Sequence, residues 1–240
     1  MKLKIMGPYN SGTNLVTKIL YNNIVQEDQD QVHVLLNNSI QVWKHCNIKE
    51  TIIEYLRKNK DVYIIFMYKN ILSLINSLIK TRYNMSFKDI YNGSIYFTGN
   101  KSLFDETKIR YQYNNILEYY NQYYLTYKSI LEMSEFKDRV LFLDYGKIID
   151  KANIISYLGD KLSYFKIKIL KNEHVINVLN KPAKNESTCV KNSDEAFKKY
   201  VVIKKNIYRN IVKNKSRIDK KINKDILLFF ENKHKLYDFK

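Results

Sequence analysis

The sequence predicts an α/β protein, a three-layer parallel sheet flanked by helices, and three observations predict it. Residues 2–20, KLKIMGPYNSGTNLVTKIL, run as a short apolar strand, a polar loop bearing Gly7 and Gly12, and a helix carrying Leu15, Ile19 and Leu20. Two later runs, VYIIFM at 62–67 and RVLFLD at 139–144, are apolar on both faces, as strands buried inside a parallel sheet are. Segments with apolar residues at helical spacing separate these strands, and the alternation from residue 2 to 158 implies parallel pairing. In such a sheet the ligand site lies at the carboxyl ends of the strands.

Each element follows from its residues. Leu3 to Met6 form the first strand, and Gly7-Pro8 turn the chain into the loop. After the first helix, residues 25–38 are polar, with Glu27, Asp28 and Asp30 close together; Ile40-Gln41-Val42-Trp43 then alternates as a short second strand, with Lys44 and His45 at its end. Ile52, Ile53, Tyr55 and Leu56 predict a helix over 49–58, and Ile71, Leu72, Leu74, Ile75, Leu78 and Ile79 predict another that ends near Tyr83. Residues 84–103, with Gly93 and Gly99, are irregular and long enough for a substrate-facing loop. A long helix is predicted over 105–133, with Ile109, Tyr113, Ile116, Leu117, Tyr120, Tyr124, Tyr127 and Leu131 near its apolar stripe and the tyrosines serving as core packing. Residues 148–158 suit a helix, 164–170 a further strand, 181–192 a loop around Pro182, and 194–240 a solvated, lysine-rich helical tail.

Composition sets bounds on partners and compartment. The 240 residues suit one α/β domain, with a core over about 1–170 and a basic, mainly helical part over about 171–240. The net charge of +17, from 41 basic and 24 acidic residues, fits nucleic acid, an anionic membrane, a phosphorylated cofactor or an acidic polysaccharide without selecting among them. The basic tail lacks interleaved aromatic or arginine clusters, so nucleic acid is not expected as a partner. Cys46 and Cys189 form neither a metal pattern nor a disulfide framework. The apolar run before Gly7 is too short for a signal peptide, and no segment approaches the roughly 18 apolar residues that span a bilayer. A cytoplasmic protein is expected.

The loop at 7–14 carries the chemistry. A strand, a glycine-bearing loop and a helix in succession aim backbone N–H groups at an anion, which makes this a P-loop, nucleotide-binding type of arrangement. The lysine that follows the second glycine in nucleotide kinases is Thr13 here, which argues against an ordinary ATPase or GTPase. Two other classes stay open from the residues alone. One is a magnesium-dependent phosphotransferase with Thr13 on the metal; the other is a non-catalytic nucleotide- or polyanion-binding module.

Three stretches together resemble the sulfotransferase family: Gly7 to Asn14, the strand-to-helix run from Phe66 through Lys69 and Asn70 to Ser77, and Val140 to Tyr145 after an aromatic helix. The resemblance covers residues 3–158 in order and element type. It implies 3′-phosphoadenosine 5′-phosphosulfate as cofactor, 3′,5′-adenosine bisphosphate as product, and a hydroxyl or amine acceptor on a small molecule or carbohydrate, with no metal. By that resemblance Asn10, Ser11, Gly12, Thr13 and Asn14 hold the 5′-phosphosulfate. Lys69 and Ser77, eight residues apart, hold the 3′-phosphate, and Tyr145 lies near the adenine. Of the four histidines, His33, His45, His174 and His234, His45 matches the family's catalytic base, with Lys44 beside it. The family's loop lysine is Asn10 in this chain, and Lys44, Lys18 and Lys69 are the cations available to replace it.

Overall fold

Strands that are apolar on both sides must be covered on both sides, and the fold follows from that requirement. A computed structural model describes residues 1–26, 32–36, 43–80, 95–100, 108–181, 209, 212–213 and 215–231 of the chain. Strands β1 (Lys2–Met6), β3 (His33–Val34), β4 (Val62–Tyr68) and β7 (Val140–Asp144) form an all-parallel sheet in the order β3-β1-β4-β7. Lys2 to Met6 run in register with Val62 to Phe66, and Ile64 to Tyr68 with Val140 to Asp144.

Period-two alternation divides the strands between two cores. Leu3, Ile5, Ile65, Met67, Leu141 and Leu143 meet α1 (Thr13–Leu20), α6 (Ile154–Ser163) and α7 (Asn172–Asn180) on one face. Met6, Ile64, Phe66, Tyr68, Val140 and Phe142 meet α2 (Lys49–Lys58), α3 (Ile71–Lys80) and α4 (Ile116–Leu131) on the other. The expected three-layer arrangement therefore holds for the described residues. The chain leaves β1 toward β3 on one side and crosses to β4 on the other, so the strand order reverses between β1 and β4. The crevice at their carboxyl ends is the topological switch point, where open α/β sheets hold ligands.

Several elements differ from expectation. The edge strand of the sheet is His33–Val34, inside the stretch expected to be a polar linker, while 40–42 lie outside the described residues and Trp43 belongs to no strand. Residues 95–100 and 108–113 pair as an antiparallel ribbon, β5 with β6 (Ile95–Asn100 with Lys108–Tyr113), where an irregular loop and the start of a long helix were expected. KIRYQY alternates with period two, and Asn115 then caps α4 by accepting from the N–H groups of Leu117 and Glu118. The helix expected at 148–158 is split into α5 (Tyr145–Ile148) and α6. β2 (Ile24–Gln26) pairs antiparallel with β8 (Ile167–Ile169), which places the expected strand at 164–170 in a small sheet of its own.

The C-terminal part is not simply solvated. Residues of α8 (Lys215–Asp219), of the turn after it, of α9 (Lys224–Ile226) and of the π-turn Leu227–Glu231 bury Ile218, Ile222, Ile226, Phe229 and Phe230 in the α4 core. The expected loop around Pro182, all of the expected substrate-facing loop at 84–103 except 95–100, and the rest of the tail lie outside the described residues. Among the described residues no helix is long and apolar enough to cross a membrane.

Candidate functional site

The loop after β1 is wound tightly. Asn10 and Gly12 both take left-handed backbone, at φ 61° and 99°, and only at Gly12 is this free of a Cβ penalty. A Cβ on Gly12 would stand 2.5 Å from the Tyr145 ring, and one on Gly7 would collide with Ser11 Oγ. Gly12 is the N-cap of α1 and offers no side-chain cap; the first turn holds no acidic residue. Its N–H groups, from Gly12 to Leu15, have no intrahelical acceptor, and Val16 is the first to bond back, to Gly12 O at 3.1 Å. Ser11 is fully buried, and its Oγ has no hydrogen-bond partner among the described residues.

Lys69 leaves the end of β4 and closes this loop from the side. Its Nζ donates to Asn10 O at 2.9 Å and to Ser77 Oγ at 2.6 Å, and it stands 3.8 Å from the centroid of the Tyr145 ring. Asn70 caps α3 by accepting from Ser73 N–H at 2.9 Å, which turns the chain so that Ser77 faces back toward the strand end. Tyr145 opens α5 directly after β7; its ring covers Gly12, and burial raises its phenol.

Lys44 and His45 stand in a turn closed by Cys46 N–H donating to Trp43 O at 2.8 Å, so adjacent side chains need not take opposite sheet faces. Lys44 O accepts from Gly7 N–H at 2.9 Å, and its Nζ reaches Asn14 Oδ1 at 2.7 Å, over the first turn of α1. His45 is buried, stacked on Tyr9 at 4.0 Å, with Nδ1 2.7 Å from Gly7 O. A carbonyl only accepts, so Nδ1 carries the proton and Nε2 keeps its lone pair. Burial above all, with the positive charges of Lys44 and Lys4 opposing the Gly7 hydrogen bond, lowers the imidazole to about 3. Burial likewise pushes the Cys46 thiol up to about 11, which leaves it unreactive.

Comparison with protein-family models, with curated proteins and with solved structures finds no match.

All ten residues singled out from the sequence, Asn10, Ser11, Gly12, Thr13, Asn14, Lys44, His45, Lys69, Ser77 and Tyr145, meet around the ends of β1, β4 and β7. Lys18 does not, because it lies in the last turn of α1, away from the loop. Two sets of residues were not assigned to the site from the sequence. The α4 tyrosines hold its backbone: Tyr119 accepts from Tyr9 N–H, Tyr124 from Lys69 N–H, and Tyr123 and Tyr127 donate to the carbonyls of His45 and Cys46. Lys4, in β1, is the other; the strand reads KLKIM, with lysines at 2 and 4, and nothing in that alternation marks Lys4 as buried.

Proposed function

We propose that this protein binds 3′-phosphoadenosine 5′-phosphosulfate at the switch point between β1 and β4 and directs its sulfonyl group to a hydroxyl or amine acceptor. One observation carries the reading: Lys69 Nζ bridges Asn10 O of the β1 loop and Ser77 Oγ of α3, so two anion-binding elements share one lysine. A cofactor with phosphate at both ends of its ribose needs two anion sites side by side. Ser11 Oγ, buried and without a hydrogen-bond partner among the described residues, and the uncapped N–H groups of the α1 first turn fit an oxyanion beside the loop.

The roles divide by geometry. The N–H groups from Gly12 to Leu15 hold the 5′ end, Lys69 and Ser77 the 3′-phosphate, and Tyr145 flanks the base. When bound, the cofactor supplies an activated sulfonyl group whose leaving group is a phosphate. Lys44, held over the same helix turn by Asn14, offers the positive charge that Asn10 cannot. His45 Nε2 takes the acceptor proton, with its tautomer fixed by Gly7 O.

Thermal unfolding with 3′,5′-adenosine bisphosphate tests this directly. At a hundredfold excess over Kd the gain is about 2.7 kcal/mol, a shift of roughly 5–10 °C for a domain of this size. Ser77→Ala and Lys69→Ala each reduce that shift, and His45→Gln abolishes transfer of labelled sulfate while leaving the shift in place. No stabilisation at millimolar nucleotide sinks the assignment.

A further inference from the structure

Ser11 N–H donates to Pro8 O at 3.1 Å and closes a turn with Tyr9 and Asn10 at its centre. The left-handed backbone of Asn10, at φ 61°, is what the third residue of a type II turn takes. Pro8 fixes its own φ on the near side, and Lys69 Nζ holds Asn10 O on the far side at 2.9 Å. With its backbone so placed, Tyr9 lays its ring on the His45 imidazole, centroids 4.0 Å apart and planes 21° from parallel. Trp43 stands edge-on to both, 5.6 Å from Tyr9 and 5.2 Å from His45, so it flanks the stack instead of covering the second face of the imidazole.

Helix α4 grips both members of the stack. Tyr119 Oη accepts from Tyr9 N–H at 2.8 Å, and Tyr123, one helical turn on, donates to His45 O. The imidazole is tethered in its own plane by Nδ1 donating to Gly7 O at 2.7 Å. Such a hydrogen bond decides which nitrogen carries the proton, but leaves a ring free to swing about the bonded atom. A second ring lying face to face opposes that swing.

We propose that Tyr9 is a positioning residue for His45: its ring, fixed by the 8–11 turn and by α4, holds the imidazole in one orientation, with the lone pair of Nε2 kept for a proton. A base works only within hydrogen-bond reach of the proton it takes, and a misplacement of about 1 Å can cost about a hundredfold in rate. The loop that carries Tyr9 also supplies the N–H groups at the start of α1, so one stretch of chain places the base and meets the nucleotide. That the proton comes from the acceptor of the sulfonyl group rests on the sulfonyl-transfer reading; that Tyr9 orients the imidazole does not.

NMR of the protein labelled with nitrogen-15 histidine reads the imidazole directly, and His45 is assigned by comparison with His45→Gln. At pH 7 the wild type and Tyr9→Phe, which keeps the ring, should show His45 as a single tautomer protonated at Nδ1, with sharp signals. Tyr9→Leu, which keeps apolar volume without a ring to stack, should show those signals broadened or divided between both tautomers. A role in packing alone lowers stability and leaves the tautomer unchanged. A sharp, single Nδ1–H tautomer in Tyr9→Leu therefore overturns the proposal, because Gly7 O then suffices. If Tyr9→Leu does not fold, the wild type decides: the imidazole should show Overhauser contacts to the Tyr9 ring and an order parameter near that of rigid backbone, about 0.85. An imidazole that lacks those contacts or moves freely overturns it. Rates are read in parallel with water as the acceptor of labelled sulfate. Tyr9→Leu should lose about 10- to 100-fold in kcat, with KM and the thermal shift given by 3′,5′-adenosine bisphosphate unchanged, and Tyr9→Phe should recover the rate. A wild-type rate in Tyr9→Leu, or loss of the nucleotide shift along with the rate, overturns the role in transfer. If the wild type neither binds the nucleotide nor transfers sulfate, the sulfonyl-transfer reading fails, while a Tyr9-dependent tautomer still upholds the positioning of His45.

Discussion

His45 shows how one residue's surroundings fix its state. The imidazole takes up a proton near its ordinary value of about 6.5 in the unfolded chain, but only near about 3 in the folded one, because burial disfavours the cation and Lys44 and Lys4 oppose it. Between those values the unfolded state holds one proton more. Stability is therefore complete above about pH 6.5 and falls as the pH drops toward 3, by at most about 1.4 kcal/mol per pH unit from this group. Urea unfolding at pH 7 and pH 5 should show the wild type losing more stability than His45→Gln, and the imidazole resonances should not titrate over that range. A midpoint near 6.5 would refute the buried, neutral form. The ten candidate residues could be singled out because they stand in short local patterns: a glycine loop before a helix, and a lysine at a strand end with a serine eight residues on. Lys4 was not, since Lys2 and Lys4 alternate with Leu3 and Ile5 as the polar face of a half-exposed strand would, until both neighbouring strands are known.

Helix α4 is the element on which the site hangs. Its period identified a core helix, and Tyr119, Tyr120, Tyr123, Tyr124 and Tyr127 are all fully buried. Period says nothing about where hydroxyls end, and here they end on the backbone of three separate loops, at Tyr9, at His45 and Cys46, and at Lys69. Removing a hydroxyl leaves a buried backbone group unsatisfied, which costs more than the net worth of the hydrogen bond itself. Tyr123→Phe and Tyr124→Phe are each expected to lose about 1–3 kcal/mol in chemical denaturation. Tyr21→Phe, on an exposed ring, should stay within about 0.5 kcal/mol of the wild type. Equal effects at all three positions would show that the α4 hydroxyls position nothing. The start of α4 was misplaced for a related reason: KIRYQY offers apolar residues to a helical and to an alternating template alike, and pairing with Ile95–Asn100, distant in sequence from neither loop end, decides for the strand.

At the scale of the whole molecule, the sheet was legible where strands are long and apolar on both faces, and illegible at its edge, where β3 contributes only two residues. The C-terminal segment was hidden differently. Its lysines dominate the composition, while its few apolar residues supply the last layer of the core. Phe230 is fully buried and stacks on Tyr68, with ring centroids 4.8 Å apart, against Tyr124 and Phe142. Tyr68 also donates to Glu231 at 2.6 Å and accepts from Tyr120, and it immediately precedes Lys69. The segment thus braces the strand end from which the site lysine projects. Phe230→Ala leaves a cavity where four aromatic rings met and should cost about 3–5 kcal/mol, read by urea unfolding. Because the cavity opens beside Tyr68, the same substitution should weaken binding of 3′,5′-adenosine bisphosphate, whereas Leu228→Ala, on an exposed side chain of the same turn, should alter neither. A cost for Phe230→Ala as small as that for Leu228→Ala would return the segment to the solvated tail that its lysine content suggests.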